Sequence, residues 1–305
     1  MVVHIDDVPT AERDFGHIHG LRQMLGVAAG CQTIGASRWR IRPGAVPSPV
    51  HVHGDEEEIF FVLSGGGHAL HGRRAFPIQA GDAMVFLAGE RPHTVMGGPD
   101  GLEILAFGSG SSSRLTWLPR SNTMWAGPRW LALDVEHPFQ AEQALGPIEL
   151  PDVAQERPHW LVAAADVEAR PRKRGATQLT RTDLGRAAGS RLSGLARVAI
   201  APGAEGSPPH CHSAEEELFY VLDGDGELLL GDDTFAVRAG SVVARPPGTG
   251  VAHSFRAGDG GLTLLAYGQR RPEDTCFYPR SNKVAMRGLG IRFRVEPLDY
   301  WDGEE

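Results

Sequence analysis

Two halves of this chain are copies of one another. Residues recur at a fixed offset of 159: His51 with His210, Glu58 with Glu217, Gly65 with Gly224. The match extends upstream, where LGVAAG from Leu25 parallels LGRAAG from Leu184, and Arg42-Pro43-Gly44 parallels Ala201-Pro202-Gly203. Downstream the offset becomes 160, as His93 with His253 and Leu102 with Leu262, so one residue is gained between Gly240 and His253. The tails repeat as well, Pro119-Arg120-Ser121-Asn122 against Pro279-Arg280-Ser281-Asn282. Two copies at a period this long describe a duplicated domain; solenoid repeats are much shorter. The expected division is a domain over 1–145, a linker over 146–158 carrying Pro147, Pro151 and Pro158, and a domain over 159–305.

Within each copy, short apolar runs alternate with turn clusters, and 39 glycines in 305 residues is about twice the usual share near 7 %. With 22 prolines this points to an all-β protein of short strands, with few short helices. In the first copy, strands are expected over 36–42, 60–63, 68–71, 83–87, 94–96 and 102–107, with Ser64-Gly65-Gly66-Gly67 ending the second of them. Gly81-Asp82 and Gly240-Ser241 are matching tight turns. A net charge of -8 argues against nucleic-acid binding. The opening segment has no basic region followed by an apolar core, and no run approaches the roughly 18 apolar residues of a membrane span. A cytoplasmic protein without a membrane or nucleic-acid partner is expected, with a small molecule as its ligand and a homo-oligomer open to it. Cys31, Cys211 and Cys276 form no metal-like spacing and are expected to be reduced.

The chemistry lies in His51-Val52-His53-Gly54-Asp55-Glu56-Glu57-Glu58 with His93, and in its copy His210-Cys211-His212-Ser213-Ala214-Glu215-Glu216-Glu217 with His253. Residues two apart on a strand share a face, so His51 and His53 project inward together, and so do His210 and His212. Gly54-Asp55 lets the chain reverse and return Glu58 toward the rings. Cys211 faces away from its flanking histidines by the same alternation. Three imidazoles and a carboxylate suit a divalent transition metal and argue against calcium or magnesium. The expected ligands are His51, His53, Glu58 and His93, and His210, His212, Glu217 and His253. Iron or manganese comes first; nickel, copper, cobalt and zinc are the alternatives. Alternation excludes Glu57 and allows Glu56, and the neighbouring acids Glu56, Glu57, Glu215 and Glu216 are expected to be solvated edge charges. His17, His19, His68 and His71 are expected to have no metal role, the last two lying on a hairpin surface, and the basic group Arg170 to Arg174 to form a solvated loop.

Gly44, His51, His53, Glu58 and Gly65, and again Gly203, His210, His212, Glu217 and Gly224, resemble the first motif of the cupin superfamily. Its spacing from acid to closing glycine selects Glu58 and Glu217. The second motif resembles Gly240, Pro246, Gly248 and His253, and in the first copy Gly81, Leu87, Gly89 and His93, with leucine where the motif has proline. The resemblance implies two tandem cupin barrels, each a double-stranded β-helix or jelly roll with a metal in its lumen. It also implies a range of activities: dioxygenases, oxalate-type decarboxylases, sugar isomerases and hydrolases. Phe60, Val62 and Phe86 in one barrel, and Phe219 and Val221 in the other, are expected to line the substrate pockets. That lining suits an oxygenase of the dioxygenase type acting on a small organic acid or phenolic compound at one or both sites. A redox-neutral isomerase, decarboxylase or hydrolase is the alternative, and a non-catalytic binding protein the third reading. Where Phe86 stands in the first copy the second has Arg245. If that position faces the lumen, the second barrel alone offers a cation beside its metal, and Arg245 is the candidate catalytic residue.

Overall fold

The computed structural model describes residues 2–110, 113, 115–127, 129–131 and 137–304. Two eight-stranded sheets dominate it, and every pairing within them is antiparallel. The first runs Leu161–Ala163, Asp82–Phe86, Glu58–His71, His93–Gly108, Gly35–Ile41, Ile18–Gln23, Thr10–Phe15, with Arg74–Gln79 paired to Glu58–His71. The second repeats that order as Val2–His4, Ser241–Arg245, Glu217–Leu230, His253–Gln269, Ser193–Ile200, Thr177–Thr182, Ala169–Arg174, with Asp233–Arg238. A four-stranded sheet accompanies each, built on Val52–His53 in one copy and on Cys211–His212 in the other. The three α-helices described, Leu25–Ala29, Pro138–Ala144 and Leu184–Ala187, are short, so no helix among the described residues is long and apolar enough to cross a membrane.

The copies exchange strands. Val2–His4, from the first copy, pairs with Ser241–Arg245 of the second, while Leu161–Ala163, beyond residue 158, pairs with Asp82–Phe86 of the first. Each sheet therefore takes an edge strand from across the 146–158 segment.

The run Ile59-Phe60-Phe61-Val62 shows why the strands are apolar on both faces. Phe60 and Val62 enter the core of the first barrel, with Trp39, Ile104 and Phe86. Ile59 and Phe61 point the other way, into a shared core where Leu105 and Phe107 meet Leu195, Leu218, Leu265 and Tyr267 of the second copy. Phe107 and Tyr267, at equivalent positions, stack across this core with centroids 4.8 Å apart.

The glycine run does not end its strand, contrary to the sequence reading. Glu58–His71 and Glu217–Leu230 are continuous, and each breaks register with its long partner at two bulges, between Val62 and Ser64 and between Gly65 and Gly67 in the first copy. Gly65 and Gly224 adopt φ of 71° and 79°. A Cβ at either position would run into the carbonyl of Gly101 or Gly261. Glycine here carries the strand through a bulge that no other residue type accommodates. The basic group also differs from expectation: Ala169–Arg174 is an exposed edge strand.

The middle acids of each triplet are not solvated. Glu57 and Glu216 are wholly buried. Alternation turns them away from the lumen, as expected, but that direction leads into the other copy. Glu57 accepts hydrogen bonds from the hydroxyls of Ser190 and Ser193 and the backbone amides of Arg191, Leu192 and Ser193. Glu216 accepts from the Thr33 hydroxyl and the amides of Gln32, Thr33 and Ile34. Each carboxylate thus gathers the donors of a partly buried loop of the opposite copy.

Candidate metal centres

In the first barrel, His51 lies beside His93 through a backbone bridge, and Glu58 opens the strand that pairs with both His93–Gly108 and Asp82–Phe86. The Nε2 atoms of His51, His53 and His93 lie 3.3, 3.2 and 3.0 Å from one oxygen, Oε2 of Glu58. The opposite nitrogen of His51 faces the Pro49 carbonyl at 2.8 Å. A carbonyl only accepts, so Nδ1 carries a proton there and Nε2 is the nitrogen that faces the carboxylate, the atom placed to ligate an ion. His53 Nε2 is buried with no hydrogen-bond partner, and burial together with His51 lowers His93 to about 4, so it is neutral at pH 7. Burial lowers His53 too, but Glu58, Glu56 and Asp55 outweigh it and raise that ring to about 9. Although burial acts the other way, the charge of neighbouring His53 comes first among the causes that hold Glu58 well below the ordinary carboxylate range. All four donors lie within 4.8 Å of one another. The residues fit a divalent transition metal.

The second barrel is looser. Oε2 of Glu217 lies 3.0 Å from His253 Nε2, 3.5 Å from His212 Nε2 and 4.0 Å from His210 Nε2. His210, Glu217 and His253 form one candidate group, while His210 and His212 also group with Cys276. Oε2 of Glu217 and Nε2 of His253 are both buried without a hydrogen-bond partner, as donors awaiting an ion would be. His210 Nδ1 donates to the Pro208 carbonyl at 2.8 Å, and Tyr278 stacks on its ring. His212 Nδ1 meets Asp274 at 2.7 Å, a carboxylate that also accepts from the amides of Ala214 and Glu215. In the first barrel Nδ1 of the corresponding ring, His53, meets the Thr116 hydroxyl at 3.0 Å and, among the described residues, no carboxylate closer than Glu56 at 3.8 Å. Cys211 is buried, and among the described residues no candidate ligand group contains it, as alternation requires.

Arg245 stands opposite Glu217 in the strand register, as Phe86 stands opposite Glu58. Directly paired residues share a face, so Arg245 is buried on the lumen side together with Val243. Its Nη2 donates to Val251 O at 2.9 Å and to Thr249 at 3.3 Å, while its Nε is buried without a partner. Phe86 instead stacks flat on His93, 4.1 Å away and 6° from parallel, and buttresses that ring.

A cavity of about 640 Å³ opens onto the first centre. His51, His53 and Glu58 form one part of it, Phe60, Ile104 and Trp39 its apolar wall, and Arg13 and Arg22 a cationic part. The expectation that only the second barrel has a cation near its metal is therefore wrong. The two arginines come from strands Thr10–Phe15 and Ile18–Gln23, far in sequence from the histidine motif, where periodicity gave no sign of them. Of the expected pocket residues, Phe60 lines this cavity. Val62 lies deeper in the core beneath it, and Phe86 behind His93; Phe219 and Val221 are core residues of the second barrel. Arg120 and Arg280 of the repeated tails serve edges, Arg120 at the carbonyl of Gly146 and Arg280 at Glu205.

The cupin domain model matches residues 37–105 and again 196–266. The chain is a bicupin. Solved structures agree with its fold. Bacillus subtilis oxalate decarboxylase at pH 4.6 superposes with a TM-score of 0.58 at 18 % identity, covering 88 % of this chain and 75 % of that one. Lactobacillus farciminis oxalate decarboxylase in its formate complex gives 0.60 at 19 % identity, covering 91 % and 88 %. No curated protein matches. At such identities the likeness is one of architecture. In this bicupin the replacement of the motif proline by Leu87 has no structural consequence. Gly89 and Gly248 adopt φ of 68° and 70°, and their amides donate to the carbonyls of His53 and His212 in the same way. His71, expected on a hairpin surface, is buried against Trp160, with ring centroids 4.6 Å apart. Cys276 also escaped the sequence reading. Its position opposite His212, where the first copy has Thr116 opposite His53, is visible only once the register is known.

Proposed function

We propose that this bicupin is a metal-dependent oxygenase of the dioxygenase type, acting on a small organic acid or phenolic compound with the first barrel as its principal site. The observation that carries the reading is the cavity of about 640 Å³ in which His51, His53 and Glu58 meet an aromatic wall. That volume lies in the range of small-molecule sites, and an apolar wall with a few convergent polar groups is their usual composition. His51, His53, Glu58 and His93 would hold the ion in the first barrel, and His210, His212, Glu217 and His253 in the second, with iron or manganese the leading candidates. When bound, such an ion supplies Lewis-acid polarisation and, if redox-active, oxygen chemistry. Around it, Phe86 fixes the His93 ring, Phe60 and Trp39 exclude water from the organic part of the substrate, and Glu58 balances part of the ion's charge. At the second centre, Arg245 would hold a substrate anion through its Nε.

The second reading is redox-neutral decarboxylation, favoured by the oxalate decarboxylases among the structures of like fold. Anaerobically prepared protein loaded with Fe(II) or Mn(II) separates the two. Oxygen consumption with aromatic and aliphatic acids, abolished by Glu58→Gln, supports the oxygenase. Carbon dioxide release without oxygen supports the decarboxylase, and no turnover of any acid or phenol by fully loaded protein rejects both.

A further inference from the structure

We propose that Arg13 and Arg22, gathered on Trp39 in the wall of the first barrel's cavity, form a carboxylate-binding subsite that selects organic acids over neutral phenols. This deepens the function proposed above and rests on its choice of the first barrel. The guanidinium carbons of Arg13 and Arg22 lie 4.8 and 5.2 Å from the centroid of Trp39, and Arg13 also lies 4.9 Å from that of Phe139. Stacking of this kind fixes a guanidinium plane while leaving its N–H edge available. Arg13 Nη1 donates to the Pro47 carbonyl at 2.6 Å, and Arg22 Nε to Ser37 at 3.0 Å. Among the described residues neither arginine forms an ion pair, and the Nη atoms of Arg22 have no protein acceptor. Burial, and then the charge of Arg22, lowers Arg13 to about 10, as expected of two crowded cations with no anion between them.

The duplicated half shows what this arrangement replaces. Arg22 corresponds to Arg181, and Met24 to Asp183. In the second copy Asp183 takes Arg181 Nε at 2.7 Å and neutralises it. In the first copy Met24 leaves Arg22 its charge. Trp39 corresponds to Val198, and Gly20 to Leu179. A Cβ on Gly20 would come within 3.1 Å of the Trp39 ring, so the missing side chain makes room for the platform. Three coordinated differences between the copies thus build a charged shelf in one barrel and dismantle it in the other. The acids that line the same cavity are engaged elsewhere. Glu58 faces the three histidines, and Glu56 accepts from the Gly110 amide at 3.2 Å and lies 3.8 Å from His53.

Calorimetry on full-length protein as purified, under argon, tests this with benzoate and its neutral isostere benzamide. Wild type should prefer benzoate. Arg22→Gln and Met24→Asp should each weaken benzoate about tenfold or more, the worth of one charged hydrogen-bonding partner, and leave benzamide unchanged. Met24 is 43 % exposed, so the aspartate can be placed without disturbing the core. Arg181→Gln should change nothing. Equal binding of the two ligands, no benzoate binding, or a Met24→Asp protein that binds benzoate like wild type overturns the proposal. Repeating the series in a Glu58→Gln background separates the two readings. Preference for benzoate that survives there, in a protein with no turnover of any acid when loaded as wild type, retains the subsite and removes the oxygenase.

Discussion

At the scale of single residues, the gathering of His51, His53, Glu58 and His93 was legible because metal chemistry demands particular side chains at spacings a strand imposes. The acids beside it were not, because alternation gives a direction and says nothing of what lies there. Glu57 points away from the lumen, as reasoned, yet what it meets is a second domain. His71 was misjudged for the same reason. Its copy is Leu230, which showed that the second copy does without it, but Trp160 arrives from far along the chain to bury it. Burial first, then Arg91 and His159, lower His71 to about 4. Its folded pKa thus lies below the unfolded value near 6.5. Between those values the unfolded chain takes up a proton that the folded chain refuses, so stability falls as pH drops from about 6.5 toward 4. The loss attributable to this ring is roughly 3 kcal/mol over that window. Urea midpoints measured across the window should therefore fall less steeply in His71→Phe than in wild type. Parallel curves for the two proteins would show that the ring is protonated in the fold.

Among the elements, the strands themselves were readable from alternation, and their interruptions were misread. Glycine clusters signal turns on average, but here the glycines belong to strands that continue through bulges. Only the partner's carbonyl, close behind Gly65 or Gly224, reveals the difference. The sequence does hold a hint, since both copies keep the glycine at the same distance from the acid. A turn would not need that constancy, whereas a bulge that sets where Glu58 and Glu217 sit does. Gly224→Ala should cost about 2–4 kcal/mol from left-handed backbone and the collision with Gly261. Gly260→Ala, where a Cβ would meet nothing within 4 Å, should stay within about 0.5 kcal/mol of wild type. Thermal unfolding of the two proteins gives the comparison, and equal melting temperatures would remove the bulge from the account.

For the whole molecule, duplication was the plainest fact in the sequence, and the reciprocal joining of its halves the least visible. That joining rests on Glu57, Glu216, the shared core and two exchanged strands, and all four depend on contacts between residues far apart in the chain. Glu57→Ala would take the shared acceptor from five donors, three of them buried, and Glu216→Ala from four, one of them buried. Each should cost roughly 3–5 kcal/mol and lower the single unfolding transition of both halves together. A transition split in two would mean that the halves are independent.

The exchanged strand makes a sharper claim, because it ties the beginning of the chain to the distant metal centre. Val2 and Val3 pair with Val243 and Val242, on the strand whose Arg245 stands opposite Glu217. The His4 ring adds a hydrogen bond to Ala239 O at 2.9 Å. The first centre draws no strand from this segment; its own edge is covered by Leu161–Ala163. Deleting Val2–His4 uncovers one edge of the second sheet beside its looser ligand set and leaves the first barrel's ladder whole. Metal content should drop from about two ions per chain toward one. In that background Glu217→Gln should remove nothing more, whereas Glu58→Gln should remove the ion that remains. If the truncated chain instead loses its first-barrel ion, or keeps both, edge pairing by the N-terminal strand does not support the second centre.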